Sequence, residues 1–195
     1  MITGASITLG PIFPADFPAL LRWQDDFEAA SQNHSYRPPV WKNEEEFWFN
    51  VGKDPSRVYF AVRKVREQAI IGYVQIWNIE AVHRSAIIGI RIGDEANRGR
   101  GYGMEALRLT VKYCWNQLNI TRISLCALET NHRAIRVYAA NGFEKEGVLR
   151  RALFIEGKWT DLILMSLLHP SRVQEEKALL GTANTDVTLT ARPFG

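Results

Sequence analysis

A chain of 195 residues, 46% hydrophobic and 23% charged, has the size and composition of one well-packed globular domain. Its formal net charge of +3 is too small to argue for nucleic acid or an anionic membrane as a partner, and no basic block interleaved with aromatics occurs. Cys114 and Cys126 lack the spacing of a metal site, no apolar run approaches the roughly 18 residues of a membrane helix, and no basic-then-apolar leader opens the chain. These features predict a cytoplasmic protein with no metal, no membrane and no nucleic-acid partner. Both cysteines are expected to be buried packing residues.

Residues 7–9 read as a short strand closed by Gly10-Pro11. Asp16 is the expected N-cap of a helix carrying Leu20, Leu21, Trp23 and Phe27. Two prolines make residues 34–39 a loop, after which Asn43 is expected to cap a second helix whose start carries Glu44, Glu45 and Glu46. Phe47, Trp48 and Val51 supply that helix's buried side. This helical pair either walls a substrate pocket or is plain core, and its aromatic content favours core. Residues 58–65, 70–77 and 84–92 predict three strands joined by hairpin connections, hence antiparallel. Leu107, Val111, Cys114 and Leu118 recur at helical spacing over about four turns. A strand at 122–128, a helix at 133–140 that Asn131 is expected to cap and a hairpin of 143–154 with 158–167 follow. Residues 1–168 are expected to form a single domain, with 169–195 a peripheral tail holding at most a short helix at 173–180.

The stretch Arg98-Gly99-Arg100-Gly101-Tyr102-Gly103 joins the third predicted hairpin strand to the long helix. Alternate glycines let the backbone turn tightly and approach a ligand, so several N–H groups can face one anion. The helix behind adds its unpaired N–H groups and the positive end of its dipole. The physics describes a cradle for phosphate or pyrophosphate, beside the blander reading of a simple turn. Two common phosphate loops are excluded: Met104-Glu105 stands where a P-loop needs Lys-Ser/Thr, and Gly103 comes one residue too early for the dinucleotide fingerprint.

Downstream, Asn131, Ala134 and Tyr138 lie on one segment, with Ala134 and Tyr138 four residues apart on one helical face. Ala134 is small enough to admit a ligand, Asn131 both donates and accepts, and the Tyr138 phenol is a proton donor at neutral pH. Tyr138 reads equally well as helix–sheet packing with its hydroxyl at the rim.

Arg98-x-x-Gly101-x-Gly103 resembles the Gln/Arg-x-x-Gly-x-Gly/Ala signature of the GNAT N-acetyltransferase superfamily, and Asn131-x-x-Ala134-x-x-x-Tyr138-x-x-x-Gly142-Phe143 resembles its later motif. The layout, through Gly157-Lys158-Trp159 and Asp161, is most similar to the RimJ/RimL-like branch. The resemblance implies an α/β (α+β) fold with a mixed, mostly antiparallel, splayed central sheet flanked by helices. It also implies acetyl-coenzyme A as cosubstrate and an amine acceptor. By position, the backbone of Ile90, Arg91 and Ile92 is expected to pair with pantetheine amides. The N–H groups of Arg98, Gly99, Arg100, Gly101, Tyr102 and Gly103 are expected to hold pyrophosphate. Asn131 and Ala134 would flank the pantetheine arm, and Tyr138 would protonate the departing thiolate.

Several relatives carry a glutamate base on the strand before the cradle, where this chain has Ile87. Glu80, His83, Glu129 or a water are the remaining candidates. An α-amine of pKa about 8 is roughly 10% neutral at pH 7, against under about 0.1% for a lysine-like amine. An unassisted site therefore favours a protein or peptide N-terminus, the acceptor the resemblance also implies. Polyamines, aminoglycosides, a non-catalytic coenzyme A-binding module and a homo-oligomer stay open.

Overall fold

Apolar runs rich in β-branched residues form eight strands: Ile2–Thr3, Ile7–Gly10, Val58–Lys64, Ile70–Glu80, Ser85–Ile92, Arg122–Leu128, Glu144–Ile155 and Lys158–Leu168, numbered β1 to β8. Among the described residues, five α-helices accompany them: α1 (Phe17–Gln24), α2 (Phe27–Ser31), α3 (Trp41–Asn50), α4 (Tyr102–Asn116) and α5 (His132–Ala139). The computed structural model describes residues 1–31, 34–67, 69–171 and 174, so the expected helix at 173–180 lies, apart from Gln174, outside the described residues. The strands make one mixed sheet in the order β1-β2-β3-β4-β5-β6-β8-β7, antiparallel except between β5 and β6.

Alternation along each strand sends side chains to two faces. One face, with Val62, Val74, Ile76, Ile88, Ile123 and Met165, buries Leu107, Val111 and Cys114 of α4. The other is closed by Phe17, Leu20 and Trp23 of α1 over Ala61 and Ile70, with Trp48 of α3 and Tyr73 packed beside them. The feature that shapes the site is a split between β5 and β6. Only Ser85, Ala86 and Ile87 pair with Arg122, Ile123 and Ser124, although β5 continues to Ile92 and β6 to Leu128. Beyond Ile87 one edge of β5 carries no ladder.

The N-terminal helices differ from expectation. Asp16 does not cap α1 through its side chain. Its carboxylate accepts from the Phe13 N–H at 2.8 Å and is ion-paired with Arg63 at 2.6 Å, both side chains 7% exposed. Breaking such a buried pair strands a charge, at a cost of about 3–5 kcal/mol. The helix carrying Leu20 and Trp23 ends at Gln24. Asp26 then accepts the Ala29 N–H at 3.0 Å and starts α2, leaving Phe27 exposed. Helix α3 starts at Trp41 from an extended Val40, because Pro38-Pro39 hold the chain extended to that point; Asn43 is therefore inside the helix rather than its cap. No α3 residue is fully buried. Cys114 is buried as expected, but Cys126 is exposed: it alternates with buried Leu125 on β6 and so faces away from the α4 layer.

Candidate active site

The opening between β5 and β6 is continued by a groove of about 380 Å³, within the range of small-ligand sites. Strand β5 contributes Ile90, Arg91 and Ile92 to its wall. The following loop contributes Arg98, Gly99 and Gly101, and the first turn of α4 contributes Tyr102 and Gly103. Asn131, Ala134 and Tyr138 face them from the α5 side. Arg100 is not in the wall; its Nε donates to the Ala96 carbonyl at 2.7 Å.

The loop's conformation follows from its glycines. Gly99 and Gly101 have φ of +77° and +85°, values costly for residues with a Cβ, and a Cβ at either would meet no atom within 4 Å. Gly101 is the N-cap of α4, so the first N–H groups of the helix open beside the groove. Arg98 folds back, donating to the Gly93 carbonyl at 2.6 Å and standing 3.8 Å from Asp26. That clamp ties the loop to the end of β5. Helix α1 is keyed to the same point. A Cβ at Gly93 would overlap the Trp23 indole, whose Nε1 donates to Asp94 at 2.9 Å, and Arg91 donates to the Trp23 carbonyl. The Trp23 hydrogen bond, followed by Arg22, holds the Asp94 carboxyl below its ordinary range.

Hydrogen bonds fix which way the β5 peptide groups point. The Gly93 N–H donates to the Ile71 carbonyl at 2.9 Å on the β4 side, whereas the Arg84 carbonyl accepts from the Thr121 N–H at 2.7 Å on the β6 side. Strict alternation then turns the peptide groups of Arg91 into the β4 ladder and those of Ile90 and Ile92 toward the opening. Of the three backbones expected to pair with a ligand, only these two turn toward the opening, and the Ile92 carbonyl also accepts from Arg98 Nε at 3.4 Å; the Arg91 guanidinium donates to the Trp23 carbonyl.

On the opposite wall the Asn131 side chain accepts the Ala134 N–H at 3.1 Å, the predicted cap; helix α5 ends at Ala139, and the turn after it passes through Gly142 with φ of +86°. Burial pushes the Tyr138 phenol above its ordinary value. Its ring centroid lies 5.9 Å from that of Phe143.

The wall also includes residues that sequence reasoning missed. Arg133 and Val137 were detectable, being spaced with Ala134 and Tyr138 on one helical face. Ala29 was not, because it arrives from α2. Among the described residues, the groove is lined by Arg91, Arg98 and Arg133 and by no Asp, Glu or His. Ile87, where a glutamate was sought, occupies the last paired rung before the split. Glu80 and His83 lie at the far turn of the β4–β5 hairpin, beyond Ser85. Ser85 alone is about 16 Å from Ile90 at the usual strand rise, so neither is within direct reach of the groove. Glu129 accepts the Asp161 N–H at 3.3 Å and is held against β8.

A positively charged groove, an array of glycine-loop and helix-start N–H groups and a free β-edge fit coenzyme A: a pyrophosphate on the loop and amides along the strand. The comparisons agree. The family model "Acetyltransferase (GNAT) domain" matches residues 6–144. The [Ribosomal protein uS5]-alanine N-acetyltransferase of Escherichia coli is 30% identical over 140 residues, 71% of each chain. The spermidine N(1)-acetyltransferase of the same organism is 32% identical over 124 residues, 64% of this chain and 65% of that one. The crystal structure of spermidine N-acetyltransferase from Vibrio cholerae in complex with CoA and spermine superposes with a TM-score of 0.78 at 25% identity, covering 83% of this chain and 95% of that one. The chain belongs to the GNAT acetyltransferase family and is an acetyl-CoA-dependent N-acetyltransferase.

Proposed function

We propose that this enzyme acetylates the α-amine of a protein or peptide N-terminus. One observation carries the reading: among the described residues no carboxylate or imidazole lines the groove, which favours an acceptor that arrives largely deprotonated. An α-amine satisfies that demand near neutral pH and a lysine-like or polyamine nitrogen does not.

The thioester supplies the acetyl group. In this reading the Ile90 and Ile92 backbones orient the arm that carries it, and the N–H groups from Arg98 to Gly103 hold the pyrophosphate. The Tyr138 phenol, kept protonated by its raised pKa, donates to the leaving sulfur. The neutral amine attacks the thioester carbonyl directly; the C–N bond forms as the C–S bond breaks, the nitrogen sheds its extra proton to solvent, and Tyr138 is reprotonated from solvent. A cysteine relay is disfavoured because burial pushes the Cys114 thiol up to about 12 and raises that of Cys126 as well, so neither offers a ready thiolate at neutral pH.

A second reading has its own support. A neighbouring cavity of about 530 Å³ shares Ala29 and Arg98 with the groove and is lined by Asp25, Asp26, Glu28, Asp94 and Glu95, with Arg22 the other cation. That excess of carboxylates suits a polyamine.

Rates with a free-N-terminus peptide and with spermidine, followed by thiol release from pH 6 to 10, separate the two. The α-amine reading predicts higher kcat/KM for the peptide and a rate that rises with pH and levels near pH 8. The raised Tyr138 pKa keeps an acid limb out of this window. A strong spermidine preference, still climbing at pH 10, would reverse the assignment.

A further inference from the structure

Three guanidinium groups line the cofactor groove, and two of them are engaged. Arg91 donates to the Trp23 carbonyl, and Arg98 is shared between Gly93, Ile92 and Asp26. Arg133 is different. It is exposed on the groove wall, and among the described residues no hydrogen bond, ion pair or ring contact engages it. Its place on α5 gives it no local electrostatic reason to be basic. It stands in the first turn, at the positive end of the helix dipole, with no acidic residue there to offset it. A cation held at the wrong end of a helix, facing a ligand groove, is suited to an anion brought by the ligand.

Coenzyme A brings two anionic groups. The pyrophosphate matches the glycine-loop N–H array, whereas the ribose 3′-phosphate, a monoester with charge near −2 at neutral pH, has no counterpart in that loop. We infer that Arg133 binds the 3′-phosphate of the donor and makes the enzyme discriminate acetyl-CoA from its 3′-dephospho form. The planar guanidinium fork donates to two phosphate oxygens at once, which a lysine cannot reproduce. The inference rests on the groove being the coenzyme A site.

Equilibrium titration calorimetry of CoA and of 3′-dephospho-CoA tests it with the wild type, Arg133→Gln and Arg133→Lys. The wild type should bind CoA about tenfold more tightly than the dephospho form. Arg133→Gln should weaken CoA to the level of dephospho-CoA while leaving dephospho-CoA binding unchanged, and Arg133→Lys should fall between. Equal weakening of both ligands would overturn the inference, because the guanidinium would then serve a part they share. No change in either would overturn it too. Gly101→Val in the same titrations keeps the two claims apart. If it weakens both ligands while Arg133→Gln fails to discriminate, only the Arg133 assignment falls; if it changes neither, the groove itself is misassigned.

Discussion

Tyr138→Phe is expected to lower kcat by about a hundredfold, within the usual contribution of a positioned acid, and to leave the KM for acetyl-CoA within about twofold. The ring stays and continues to pack near Phe143, so only the proton is removed. A thiolate leaving from a thioester has a conjugate acid of pKa about 8.5, and expelling it bare leaves a charge that a nearby donor can quench as the bond breaks. Burial raises the Tyr138 pKa, so the phenol stays protonated at neutral pH and is available as a donor to the sulfur as charge develops on it. Steady-state thiol release at saturating amine measures the effect. Equal kcat for the two proteins would remove the acid role and leave Tyr138 as packing.

Gly101→Val is expected to weaken coenzyme A binding more than tenfold, with the far-UV circular dichroism of the sheet and helices retained. The residue has φ of +85°, a conformation in which a β-branched side chain is strained by about 1–3 kcal/mol. No protein atom lies within 4 Å of the Cβ that would be added, so the substitution does not disrupt the core. The new side chain would instead occupy space beside the α4 N-cap, where the proposed pyrophosphate would approach the N–H groups. Titration with CoA reads the result, and unchanged affinity would contradict the assignment of the loop to pyrophosphate.

How far these elements could be read from the residues depended on whether local information was enough. Strand β6 spans the predicted residues, because its apolar alternation and the flanking turn signals are local. The Asn131 cap was legible for the same reason: cap and capped N–H are three residues apart. Asp16 misled because its carboxylate is claimed by Arg63, 47 residues away, and a local rule does not see that competitor. Cys126 misled because strand periodicity divides residues between two faces without saying which face a helix covers. Helix periodicity predicted one element through Phe27, but Asp26 caps a new helix and thereby brings Ala29 to the groove.

The site shows the same division. The glycine loop, Asn131, Ala134 and Tyr138 could be gathered by motif spacing, and the fold brings them to one groove. What spacing does not contain is distance. Glu80 and His83 are nearer in sequence to the glycine loop than Asn131 is, yet the β4–β5 hairpin carries them to the opposite end of β5. Nor does spacing reveal which peptide groups of a strand are used. That Arg91 faces β4 while Ile90 faces the opening follows only from the hydrogen bonds at Gly93 and Arg84.

The most direct test of the account is a crystal structure of the protein with CoA bound. The account predicts pyrophosphate oxygens on the N–H groups between Arg98 and Gly103, pantetheine amides on Ile90 and Ile92, and the sulfur within hydrogen-bonding reach of the Tyr138 hydroxyl. CoA seated in another cavity, or a sulfur remote from Tyr138, would contradict it.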